Sequence, residues 1–145
     1  MKTANGEWEL DMDFYGKKLG DLVLGAIKAL ERFSGKPLKR DSFQMDSLIC
    51  SIGYALSEWQ TPCIENIARL VHTGWMTSYH FWELYRPWTT NSDFDYSPYL
   101  DDERVRCCAT LPYSNLREIE KDKNRVIAVY LISELGLKHK HVDDV

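Results

Sequence analysis

The chain has little of what announces a special architecture. Its four cysteines, Cys50, Cys63, Cys107 and Cys108, form no CxxC pair, and adjacent Cys107 and Cys108 are poorly placed for an unstrained disulfide with each other. Neither a metal knuckle nor a disulfide scaffold is expected. Eight glycines and five prolines are spread through 145 residues without a P-loop or a Gly-x-Gly-x-x-Gly pattern, which excludes the usual phosphate-cradling loop. No apolar run is long enough to cross a bilayer, and the polar stretch Met1 to Trp8 lacks the basic-then-apolar order of a secretory signal. Positive charge is also scarce. The 18 Lys and Arg against 22 Asp and Glu leave a formal charge of -4, with no global footprint for nucleic acid. What is present is 44% hydrophobic and 12% aromatic residues, enough for one packed domain. A cytoplasmic chain with reduced thiols is expected, with Cys50 and Cys63 buried as small hydrophobes.

Apolar periodicity predicts a mainly α fold of about four helices. Leu19, Leu22, Val23, Ala26, Ile27, Leu30 and Phe33 recur at helical spacing until Gly35 and Pro37 end the pattern. Asp41 or Ser42 is the expected cap of a second helix, whose face reads Met45, Leu48, Ile49, Ile52, Ala55, Leu56 and Trp59. These two should form a hairpin. Thr61 followed by Pro62 predicts the start of a third helix bearing Ile64, Ile67, Ala68, Val71 and Trp75. From about Phe81 to Pro112 the periodicity is lost, and a short irregular or two-stranded arm rich in aromatics is expected to fold over the helices. Ser114 is the expected cap of a last helix that turns Leu116, Ile119, Val126, Ile127, Tyr130, Leu131 and Leu135 inward and stops at Gly136. The expected organisation is an N-terminal helical hairpin over 1–60, a second unit over 61–137 and a flexible tail over 138–145.

Chemistry is sparsely signalled. No Gly-x-Ser-x-Gly elbow appears, and His72 and His80 stand eight apart without metal-ligand spacing, so His72 reads as a structural histidine and no metal or cofactor is expected. Consecutive Asp101, Asp102 and Glu103 are either carboxylates for a divalent cation, with His72 as base in a phosphoester hydrolase, or the acidic first turn of a short helix. Trp75, Trp82 and Trp88, with the tyrosines near them, are either core or a stacking platform for a planar ligand. Were the ligand a nucleotide, Arg69, Arg86, Arg104, Arg106 and Arg125 would be the suppliers of positive charge.

Two stretches read together carry a resemblance. Ile67-Ala68-x-x-Val71-His72-x-x-Trp75 is followed by Tyr96-Ser97-Pro98-x-x-Asp101-Asp102-Glu103, running to Leu111-Pro112-Tyr113-x-x-Leu116-x-x-x-Glu120-Lys121-x-x-x-Arg125. The pattern resembles the RyR domain, the repeat named for ryanodine receptor channels and also found in standalone bacterial and phage proteins. It covers about half the chain, from Thr61 to Gly136, with Ser97 where the family carries a glycine. The resemblance implies a small helical, non-enzymatic binding module and, for some members, adenine-nucleotide-like ligands. Carried over position by position, the ligand-binding candidates are His72, Trp75, Tyr96, Asp101, Asp102, Tyr113 and Arg125, to which the aromatic segment adds Trp88. A small planar ligand or a segment of a partner protein is the expected partner, with neither nucleic acid nor membrane. Dimerisation through the stripes of the first two helices is an alternative.

Overall fold

The computed structural model describes residues 12–60, 63–85 and 97–135, among which six α-helices and no strand occur. The fold is mainly α. Four long helices, α1 (Met12–Ser34), α2 (Ser42–Glu58), α3 (Ile64–Tyr85) and α6 (Glu118–Leu135), pack in a closed ring in which each touches two neighbours. Between α3 and α6 lie the short α4 (Ser97–Leu100) and α5 (Glu103–Thr110) and a 3₁₀ turn at Tyr113–Asn115.

Local chemistry explains the stops and starts. Gly35 ends α1 with a φ of 73°, the left-handed region that a side chain disfavours, and its N–H reaches Glu31 O at 2.8 Å. Asp41, rather than Ser42, caps α2: its Oδ1 accepts from Gln44 N at 2.9 Å. Thr61 and Pro62, the expected start of α3, lie outside the described residues. The helix itself continues past Phe81 to Tyr85, because no breaker intervenes before Pro87, and it leaves Phe81, Leu84 and Tyr85 exposed.

The expectation of an irregular or two-stranded arm is corrected where residues are described. Pro98 sits in the first turn of α4, where a missing N–H costs nothing, and Asp102 caps α5 by accepting from Val105 N at 3.0 Å. Ser114 does not cap the last helix. It belongs to the 3₁₀ turn that follows Pro112, its Oγ donates to Asn115 Oδ1, and α6 begins only at Glu118.

One apolar cluster joins Leu22, Val23 and Ile27 of α1, Ile52 of α2, Ile67 and Val71 of α3 and Leu131 of α6. The stripes of α1 and α2 are thus covered within the chain itself, although Leu24, Phe33 and Ile49 remain exposed. Ile119, expected inward, is also exposed. Cys63 is exposed and Cys50 half-buried, because Cys63 precedes α3 rather than facing the core. Packing of α2 on α3 is close enough that a Cβ at Gly74 would collide with the backbone of Cys50 and Ser51. A second cluster, Phe43, Tyr79, Leu100 and Ala109 with Trp75, Trp82 and Tyr99 against it, seats the arm on α2 and α3. No helix among the described residues is long and apolar enough to cross a membrane.

Candidate functional site

The arm is mounted on α3 through backbone carbonyls. His72 Nε2 lies 2.8 Å from Leu111 O, Tyr79 donates its hydroxyl to Leu100 O at 3.0 Å, and His80 Nε2 lies 2.9 Å from Ala109 O. From the other side, Tyr99 stacks on Phe43 at 4.3 Å and donates its hydroxyl to Asp41 Oδ2, an arrangement in which burial and then the carboxylate push its pKa up to about 12. So held, the arm forms one wall of a cleft of about 440 Å³, whose other walls are the end of α1 and the facing surfaces of α2, α3 and α6.

Apolar side chains, among them Phe43, Leu48, Val71, Trp75 and Ile127, supply most of the walls. Trp75 stacks on His72 with ring centres 5.9 Å apart and planes 15° apart. Against this apolar background stand polar groups that folding has removed from water. Of the buried polar residues Ser47, Ser51, His72, Ser78 and Glu120, all but Ser78 line the cleft. Burying such groups costs free energy unless they find partners.

The partners can be followed. A carbonyl oxygen only accepts, so the His72 contact with Leu111 places the proton on Nε2 and leaves Nδ1 as an acceptor in the neutral ring. Burial keeps it neutral by pushing its pKa below 6.5, against smaller opposing effects of Leu111 O and Glu120. Ser47 donates to Phe43 O at 2.8 Å, which leaves its lone pairs available. Glu120, 7% exposed, accepts from Arg104 Nη1 at 2.9 Å and from Lys123 Nζ at 3.1 Å. Burial alone would raise its pKa, but Lys123 and Arg104 outweigh it and hold the carboxylate below its ordinary value.

The sequence candidates divide between this cleft and other places. His72, Trp75 and Asp102 line it together. Asp102 spends one carboxylate oxygen on its cap, and exposed Asp101 lies in the turn before it, outside the cleft lining. No group of three His, Cys, Asp or Glu side chains suited to a metal ion occurs among the described residues; Asp102 is the cap of α5 and Glu103 its first residue. Tyr113 and Arg125 build a separate clasp. Tyr113 donates to Glu65 Oε2 at 2.9 Å, while Arg125 reaches Glu65 at 2.6 Å, Glu118 at 2.8 Å and Asp122 at 2.9 Å. Burial and then Glu65 push the Tyr113 pKa up to about 12, and the three carboxylates raise that of Arg125. Trp88 and Tyr96 lie outside the described residues.

Of the candidate arginines, Arg104 alone among the described residues lines the cleft; Arg69 donates to Asn66, and Arg106 pairs with Glu103 on the surface. Sequence reasoning missed Ser47, Ser51, Glu120 and Lys123. The two serines, one turn apart beside Leu48 and Ile52, carried a usable signal: polar residues at i and i+4 flanking an apolar stripe. Lys123 carried none, and Glu120, although it stands in the stretch that carries the resemblance, reads as the acidic first turn of a solvated helix. No protein-family model, no curated protein and no solved structure matches the chain.

Proposed function

We propose that the protein is a non-enzymatic, RyR-like binding module of a bacterium or phage, acting in the cytoplasm, which takes a small planar ligand in the cleft between the arm and the four-helix ring. Neither nucleic acid nor a membrane enters this reading. The observation that carries it is the gathering of Ser47, Ser51, His72 and Glu120, four of the five buried polar residues among those described, on one apolar-walled cavity. Apolar walls with a few convergent polar groups are the usual make-up of a ligand site, and about 440 Å³ falls within the range such sites occupy. Trp75, stacked on His72 and half-buried, supplies the aromatic surface. The volume and the depth of the polar groups favour a small molecule over a segment of a partner protein. The resemblance over 61–136 supports the same class of function, now with its candidates sorted: His72, Trp75 and Asp102 at the ligand, Tyr113 and Arg125 in the fold.

A thermal-shift screen against nucleosides, nucleotides and pterins, repeated with Trp75→Ala, tests the reading, because a ligand that binds only the native state raises its melting temperature. A shift that Trp75→Ala loses while remaining folded by circular dichroism is the expected result. Equal shifts in both proteins overturn the cleft as the site.

A further inference from the structure

The charges around the cleft narrow its ligand further, an inference that rests on the cleft being a ligand site. Lys36, Arg104 and Lys123 line it against Asp102 and Glu120, a net charge of one positive. His72 adds none, being neutral with its one N–H committed to Leu111. Glu120 is the decisive member. As an internal carboxylate bound to both Arg104 and Lys123, it already neutralises part of what those two cations offer. It also sits at a depth where solvent screens repulsion poorly.

The hydrogen-bonding groups have an order as well. His72 Nδ1 and the lone pairs of Ser47 Oγ are acceptors on buried side chains, whereas the cationic donors Arg104 and Lys123 are half-exposed. We propose that the cleft selects a flat heterocycle carrying a single negative charge, its ring N–H or amino groups turned to His72 and Ser47 and its one anionic group at Arg104 and Lys123. A neutral ring leaves the positive excess unanswered. A polyphosphate sets its further charges against Glu120 and Asp102. A carboxylate and a phosphodiester both satisfy the charge condition.

Isothermal titration of the full chain with guanosine, cyclic guanosine monophosphate, guanosine triphosphate and pterin-6-carboxylate separates these cases. One of the singly charged probes should bind about tenfold or more tighter than both guanosine and the triphosphate. The tighter of the two assigns the anion as carboxylate or phosphodiester. Glu120→Gln should improve triphosphate binding about tenfold relative to the singly charged probe. Because Glu120 also joins two helices, Asp102→Asn is the second variant; asparagine still caps α5, and the preference should move the same way by about threefold. If guanosine and the triphosphate bind as tightly as the singly charged probes, and Trp75→Ala abolishes all binding, the charge selection is overturned and the ligand site stands. If no probe binds, both fall.

Discussion

The cleft and the clasp are both polar clusters pinned to α3 and α6, yet they treat their polar groups in opposite ways. In the clasp, Glu65, Tyr113, Glu118, Asp122 and Arg125 answer one another near the surface, and Arg125 alone engages three carboxylates. Such a cluster ties the start of α3, the 3₁₀ turn and α6 to one another. In the cleft His72, Ser47 and Glu120 are deeper, and the site keeps unspent capacity: Nδ1 of His72, the lone pairs of Ser47, and two half-exposed cations sharing one carboxylate. A polar group whose partners are all within the chain belongs to the fold. One that is desolvated and still has capacity to bond is a place for something else.

The strongest way to break this contrast is from behind the cleft. Gly74→Ala would force α2 away from α3 at Cys50 and Ser51 and should cost about 3 kcal/mol by urea denaturation, with ligand binding lost although no cleft side chain changes. Next, His72→Ala leaves Leu111 O without its donor and opens a gap beside Trp75. A loss of about 2 kcal/mol is expected, with faster hydrogen exchange across α5, where the arm loses an anchor. Tyr113→Phe strikes the clasp: it should cost about 1 kcal/mol and leave ligand affinity within about twofold, and a larger loss of affinity would erase the distinction.

The smallest effect is read by pH and sets His72 apart from the carboxylates of both regions. The folded pKa of His72 is lowered, so below 6.5 the unfolded chain takes up a proton that the folded chain resists, and stability falls as pH falls from that point. Glu65, Glu118 and Glu120 are also lowered, and their contribution, fully present above 4.5, is lost at lower pH. Melting temperature against pH should therefore decline in two steps, and His72→Gln should remove the first while keeping the second.

Much of the fold was legible in the sequence because it is written in local terms. The apolar stripe through Leu22, Val23, Ala26 and Ile27, the stop at Gly35 and the cap at Asp41 each depend on residues within a few positions. The arm was not, since α5 is only eight residues long and strongly polar at its start, and its helical state rests on the Asp102 cap and on α3 side chains dozens of positions away. Ser114 misled for a related reason: the bond from Tyr113 to Glu65, 48 residues back, accompanies a tighter turn there. Part of the candidate site was visible as His72, Trp75, Asp102 and Arg104. Glu120 was hidden, because its pairing with Arg104 spans two helices and leaves no local pattern.

The hydrogen bonds by which three α3 side chains carry the arm all go to its main chain, at Leu100, Ala109 and Leu111. Every residue type offers the same carbonyl, so these anchors are indifferent to the identity of the side chains between them. Of the cleft residues on the arm, however, Asp102 caps α5, Arg104 pairs with buried Glu120, and Val105 and Cys108 pack against the two apolar clusters, so side chains hold this stretch as well. Attachment is thus divided: a substitution between Asp102 and Cys108 leaves the carbonyl anchors on α3 in place but alters the cleft and the seating of α5 together.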